Sequence, residues 1–232
     1  MITSVNTEGI LTSGYQSSVG PIIFKSNADR VFKELNLDSI RFPGGNLGNL
    51  YHPFKKGSND LAPGYGFRTD EFPKNTSFYN IYAEWDKTQT ENMIYPFMSW
   101  LNNIGVKKVL YVANVKNGNI KEISWVINTF LTNGFEIIGI ELGNELYFGQ
   151  WGSWSKNILG QWKSTLMTPE EYIRMVVPVS DFLKLNYPNI KQAIIGWHNG
   201  GYTDKAVSSL KSNEWNDKIS KSNIKYDAYV VI

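Results

Sequence analysis

The feature that most limits what this chain can fold into is an alternation. Short apolar segments rich in β-branched residues take turns with segments that are amphipathic at helical spacing. Ser39-Ile40-Arg41-Phe42 reads as a strand, and so do Lys107 to Val115, Phe135 to Leu142, Lys191 to Trp197 and Lys225 to Ile232, after an opening strand near Ile2 to Asn6. Helical spacing places Ala28, Val31, Phe32 and Leu35 together within Asn27 to Leu35. Glu91 to Ile104 lines up Met93, Phe97, Trp100, Leu101 and Ile104, with Pro96 near its first turn. Ile120 to Asn133 carries Ile123, Val126, Ile127, Phe130 and Leu131 as a stripe. Thr168-Pro169-Glu170-Glu171 spells a helix start, with Thr as N-cap, Pro first and Glu third. Thr203 to Trp215 is a weaker helix. The strands are apolar on both faces, as parallel strands covered on both sides must be.

The connections are asymmetric. Helix-to-strand links are tight (Gly105-Val106, Gly134, Tyr187 to Ile190), whereas strand-to-helix links are long (Pro43 to about Thr90, Gly143 to Thr168). Long loops at the C-terminal ends of parallel strands build the active site of a (β/α)8 TIM barrel. A doubly wound sheet fits less well, because no strand is followed by a GxGxxG turn. Residues 1–232 read as one domain holding six βα units or part-units. Eight units take roughly 250 residues, but long insertions consume much of this length. The expectation is therefore an incomplete barrel, an N-terminal fragment that stops at about the sixth strand. An open six-stranded sheet would leave two unpaired edges.

Composition narrows the function classes. Cys is 0, which excludes disulfides, thiolate metal sites and a cysteine nucleophile. The 23 Lys+Arg and 21 Asp+Glu give a net charge of +2, which argues against a nucleic-acid binder with a basic stripe. The two histidines, His52 and His198, lie far apart with no H-x-x-x-H pair, so no metal site is expected. No G-x-S-x-G elbow, membrane span or signal peptide is visible. No cofactor is expected. The 8 Trp and 13 Tyr suit either sugar binding or a core, and composition alone does not choose.

The most informative stretch is Gly139-Ile140-Glu141-Leu142-Gly143-Asn144-Glu145. An apolar parallel strand ends in an Asn-Glu pair at the expected catalytic rim. Desolvation there raises a carboxyl pKa and suits it to general acid catalysis. The neighbouring Asn can bind a substrate hydroxyl. A structural salt bridge is the plainer reading of one strand-end Glu, but Gly-Gly-Asn after an earlier strand favours the functional one. Asn114 ends the third strand and either faces a sugar or forms the turn before Lys116-Asn117-Gly118. Trp197 and His198 end the fifth strand, where Trp could stack on a sugar or pack the rim. Tyr147, Phe148, Trp151 and Trp154 could form a sugar platform or a satellite core. Asp204 reads as an N-cap, while Glu214 and Asp217 fall in a polar helix or loop.

Two motifs carry a resemblance. Arg41-Phe42-Pro43-Gly44-Gly45-Asn46 on the second strand and Glu141-Leu142-Gly143-Asn144-Glu145 on the fourth resemble the retaining (β/α)8 glycoside hydrolases. Within them the sequence looks most like the α-L-arabinofuranosidases and the heparanase/β-glucuronidase-like families. The resemblance implies Glu145 as general acid/base and Asn144 as ligand of the sugar 2-hydroxyl. It places Arg41 beneath a nucleophilic carboxylate, and an ion pair of Arg41 with Glu141 is compatible with that role. Asn46, Asn114, Tyr147, Trp197 and His198 become candidate substrate-binding residues.

The nucleophile of such enzymes is a Glu on the seventh strand, which this sequence does not reach. The fragment alone is thus expected to be inactive. The expected substrate is an oligo- or polysaccharide, which favours an extracellular or periplasmic location; oligomeric state is left open. The rival readings are a non-catalytic carbohydrate-binding barrel and a structural or assembly domain.

Overall fold

The computed structural model describes residues 4–6, 26–71, 86–147, 154–156, 162–164, 167–197 and 205–231. Six strands form one parallel sheet: β1 (Ser4–Asn6), β2 (Ser39–Phe42), β3 (Lys108–Ala113), β4 (Glu136–Leu142), β7 (Lys191–Gly196) and β8 (Ala228–Val231), adjacent in that order. The remaining two, β5 (Trp154–Lys156) and β6 (Trp162–Ser164), make a separate antiparallel hairpin in the β4-to-helix connection. The link from Gly143 to Thr168 is therefore not loop throughout.

Strand order follows chain order without the reversal that defines a doubly wound sheet. Among the described residues β1 pairs only with β2 and β8 only with β7, so the sheet is open between them.

The helices fall where the periodicity puts them. They are α1 (Ser26–Leu35), α2 (Ile94–Ile104), α3 (Ile120–Thr132), α4 (Pro169–Asn186) and α5 (Lys205–Ser220). The boundaries follow from capping. The Asn119 side chain accepts from the Glu122 N–H while the Glu122 carboxylate takes the Asn119 N–H, which starts α3. Thr168 and Glu171 start α4 in the same way, with Pro169 at the first position. Helix α2 begins at Ile94 rather than Glu91, because Asn92 lies in a bridge with Gly64 and its Oδ1 accepts the Ile94 N–H at 3.2 Å. Pro96 therefore lies in the first turn, where its missing N–H costs nothing. Helix α5 runs on to Ser220, which puts Glu214 and Asp217 on a helix.

Most described aromatic side chains fill the core. Phe42 of β2 meets Tyr51, Phe97 of α2 and Phe130 of α3 at centroid distances of 4.6–5.4 Å. Trp100, Trp215, Tyr65, Tyr111 and Tyr172 are buried as well.

One irregularity sets the site. Val109 of β3 pairs with Ile137 of β4, but Leu110 pairs with Gly139, so Ile138 is an extra residue on β4. Side chains alternate along a strand, and one inserted residue exchanges the two faces beyond it. Past the bulge Glu141 lies opposite Val112, and Arg41 lies opposite Leu110. Arg41, Leu110, Val112, Gly139 and Glu141 consequently share one face of the sheet. Without Ile138 as an extra residue, Glu141 would point to the other face.

Candidate active site

Beyond β2 the chain enters a 3₁₀ turn, Gly45–Asn49, that sits against β3. Gly48 makes this approach possible, since a Cβ there would lie 2.3 Å from Val112 Cγ1. Beyond β4 the chain turns at Gly143, with φ +94°, where a Cβ would lie 2.7 Å from Leu146 Cδ1. Glu145 follows with φ +42°. That left-handed backbone costs a non-glycine residue about 1–2 kcal/mol, and such strain gathers at functional sites.

The two segments meet in a buried polar network. Arg41 Nε lies 3.0 and 2.9 Å from the Glu141 carboxylate oxygens, and Arg41 Nη2 also donates to Glu141 Oε2. The same Nη2 donates to Asn144 Oδ1 at 2.8 Å. With its oxygen on Arg41, the Asn144 amide turns its nitrogen the other way, and the Asn144 side chain hydrogen-bonds the Glu145 carboxyl. Arg41, Glu141 and Asn144 are buried, while Glu145 is half-buried.

Burial pushes the Glu145 carboxyl above the ordinary glutamate range; the Asn144 hydrogen bond and the Arg41 charge pull it back in part. The result is a strand-end carboxyl that holds its proton to higher pH than a solvated one and points from a fixed backbone. Such a group can deliver and retrieve a proton.

Arg41, Asn144 and Glu145, the three residues predicted to carry chemistry, are thus brought together. Asn114 is drawn elsewhere. Its Oδ1 accepts the Asn117 N–H at 3.0 Å, which is the turn-forming alternative, and its Nδ2 lies 3.3 Å from both Tyr51 O and His52 Nε2. Tyr147 is fully buried and its ring stacks on Trp197 at 4.7 Å and 5°. It therefore supports Trp197 from beneath. Trp197 is partly exposed at the end of β7, where its backbone N–H and C=O are both bonded by the Asn216 side chain of α5, at 2.9 and 3.0 Å. His198, Phe148, Trp151 and Asp204 lie outside the described residues, as do the side chains of Asn46 and Trp154.

Sequence reasoning missed a second polar cluster beside Asn114. His52, fully buried, places Nδ1 3.1 Å from Glu122 and Nε2 3.2 Å from Glu71. Arg68 donates to Glu122 at 2.6 Å, and Asn117 donates to Glu71 at 2.9 Å. Burial alone would drive His52 down, but the two carboxylates outweigh it and hold the imidazole above its usual range. Burial would likewise push Glu122 up, but His52 and Arg68 hold it down. The cluster ties the loop after β2 to the start of α3. No group of three or more metal-ligating side chains is placed to hold an ion among the described residues.

The chain is 25% identical over 185 residues to a probable α-L-arabinofuranosidase C of Aspergillus fumigatus, covering 75% of this chain and 32% of that protein. The corresponding Aspergillus clavatus protein is 25% identical over 180 residues. The chain thus spans about a third of the length of the curated relatives it matches. Among solved structures, a family 51 α-L-arabinofuranosidase from Bifidobacterium longum superposes with a TM-score of 0.53 at 18% identity, over 90% of this chain and 38% of that one. No family model matches the chain. Among the described residues no helix is long and apolar enough to cross a membrane.

Proposed function

We propose that this chain carries the acid/base half of the active site of a retaining glycoside hydrolase, on part of a (β/α)8 barrel. The substrate class we assign is an oligo- or polysaccharide bearing α-L-arabinofuranosyl groups, which places the protein's work outside the cytoplasm. The observation that carries this reading is the chain of contacts Glu141–Arg41–Asn144–Glu145, which ends in a half-buried carboxyl with a raised pKa. The arabinofuranosidase relatives support the choice of sugar. The heparanase-like alternative rests on the two motifs alone.

In the first step the protonated Glu145 gives its proton to the glycosidic oxygen as the C1–O bond breaks and a second carboxylate bonds to C1. In the second step ionised Glu145 takes a proton from water, whose oxygen attacks C1 and expels that carboxylate. The two carboxyls must lie about 5–5.5 Å apart. Glu141 does not suit the nucleophile's part, because Arg41 engages both of its oxygens. We assign that part to a glutamate of the protein outside these residues. Arg41 lies beneath that carboxylate and keeps it ionised. Asn144, its amide oriented by Arg41, donates to the sugar 2-hydroxyl. Trp197 offers its ring at the rim.

The test is Glu145→Gln in the whole native protein, assayed on an unactivated arabinofuranoside. Turnover should fall by about 10²–10⁴-fold. In Glu145→Ala, added azide should restore cleavage of an activated aryl arabinofuranoside, because azide attacks the glycosyl-enzyme without base assistance. Wild-type turnover by the Gln variant would remove Glu145 from the acid's role. Sugar binding without any turnover in the wild type would favour the non-catalytic barrel.

A further inference from the structure

Asn49 makes a contact that the chemistry above does not use. Its side-chain amide spans both backbone groups of Asn144: Asn49 Oδ1 accepts the Asn144 N–H at 2.9 Å, and Asn49 Nδ2 donates to the Asn144 C=O at 2.5 Å. Both residues are buried, and 95 residues separate them in sequence. The Asn144 carbonyl belongs to the peptide that joins Asn144 to Glu145. Holding that oxygen fixes the plane of the peptide, one of the two planes that define the left-handed φ of Glu145. Holding the N–H as well fixes the preceding peptide, so the strand end cannot rotate as a unit. Asn49 is itself anchored, because the turn that carries it is pressed onto Val112 through Gly48.

We propose that Asn49 is a positioning residue that locks the Asn144–Glu145 peptide and thereby holds the Glu145 side chain in its half-buried place at the end of β4. This deepens the acid/base reading and rests on it. A strained backbone relaxes unless its surroundings over-determine it. A side-chain amide does so well here, since it presents one donor and one acceptor at the spacing of a neighbouring strand's backbone. The structure also supplies an internal control. Asn216 makes the same two-point contact with Trp197 at the end of β7, a separate strand end.

The experiment compares Asn49→Ala with Asn216→Ala, both neutral changes that remove one clamp each. The readout is the titration of the Glu145 carboxyl by carbon NMR on glutamate-labelled protein, assigned through Glu145→Gln. In Asn49→Ala the Glu145 midpoint should fall toward the ordinary glutamate range as the side chain becomes solvated. In Asn216→Ala it should stay where the wild type has it. Turnover of Asn49→Ala should drop by on the order of 10²-fold, the cost of misplacing a reacting group by about 1 Å, with KM little changed. A folded Asn49→Ala with wild-type Glu145 titration would overturn the assignment. Should that variant not fold, Asn49→Ser takes its place, and failure of both while Asn216→Ala folds would reduce Asn49 to a structural part. The titration needs no substrate, so it decides the role of Asn49 even if Glu145→Gln shows that Glu145 is not the acid.

Discussion

Arg41 Nη2 serves two acceptors at once: it donates to Asn144 Oδ1 at 2.8 Å and to the Glu141 carboxylate. The first contact orients the amide beside Glu145. The second neutralises a carboxylate that the β4 bulge has turned onto Arg41's own face of the sheet. Stability and chemistry therefore draw on one guanidinium, but through different partners.

These partners can be separated. Arg41→Met leaves Glu141 buried and unpaired, which should cost about 3–5 kcal/mol, read by urea denaturation. Adding Glu141→Leu removes the orphaned charge and should recover most of that loss. Activity should not return, because Asn144 still lacks its donor. If the double variant were both stable and active, Arg41 would have no part in orienting Asn144.

Glu145 should be a stability liability. Its pKa in the folded chain is raised, chiefly by burial. A raised carboxyl contributes stability that is complete below the unfolded value, about 4.3 for glutamate, and is lost as pH rises through the folded value. Glu145→Gln abolishes that loss. The variant should melt higher than wild type at pH 7, and the difference should vanish toward pH 4. A calorimetric difference that ignores pH would contradict the burial of this carboxyl.

How much of this was written in the sequence depends on the range of each interaction. The strands and helices were legible because two-sided apolar runs and helical stripes are local signals, and Thr168-Pro169-Glu170-Glu171 marks a boundary within four residues. The Arg41–Glu141–Asn144–Glu145 grouping was legible because two short motifs close the second and fourth of a run of parallel strands, whose ends gather at one rim. The bulge at Ile138 was not, because nothing in FEIIGIEL distinguishes a regular strand from one with an extra residue. Asn49, Asn216 and His52 were not legible either. Each looks like an ordinary loop or helix-surface residue, and its meaning lies in a partner 19 to 95 residues away. The β5–β6 hairpin is too short, at three residues per strand, to show an alternation.

The His52 cluster gives stability a defined pH window. Glu122 is held below its ordinary pKa, so its contribution is present above about 4.3 and is lost as pH falls through the folded value. His52 is held above its ordinary pKa, so its contribution is full below about 6.5 and is lost as pH rises through the folded value. Asp86, pushed up to about 6 by burial against the Tyr65 and Phe67 N–H groups that bond it, loses its contribution in the same upward direction. Unfolding free energy should therefore decline as pH rises from about 4 through about 6, where Asp86 loses its contribution, and decline again above about 6.5 as His52 loses its own. His52→Gln should flatten the upper part of that decline, and Asp86→Asn the lower part. An unchanged slope in His52→Gln would mean that the imidazole is neutral between its two carboxylates throughout.

Tyr172 bridges the sheet where its ladder ends. The β4–β7 pairing runs only to Glu141 and Ala193. Just beyond, the Tyr172 hydroxyl donates to the Leu142 C=O at 2.8 Å and accepts the Ile195 N–H at 3.2 Å, taking the place of a direct strand contact. The ring is fully buried, so no water reaches these groups in its stead. Tyr172→Phe keeps the ring and deletes only the bridge. It leaves one buried acceptor and one buried donor unsatisfied, each worth about 1–3 kcal/mol, so the variant should lose at least about 2 kcal/mol in urea denaturation with an unchanged m-value. Leu142 directly precedes Gly143-Asn144-Glu145, so turnover should fall as well, and amide exchange at Ile195 should quicken. A variant within about 0.5 kcal/mol of wild type, the usual effect of a surface change, would show that β4 and β7 close directly once the hydroxyl is gone.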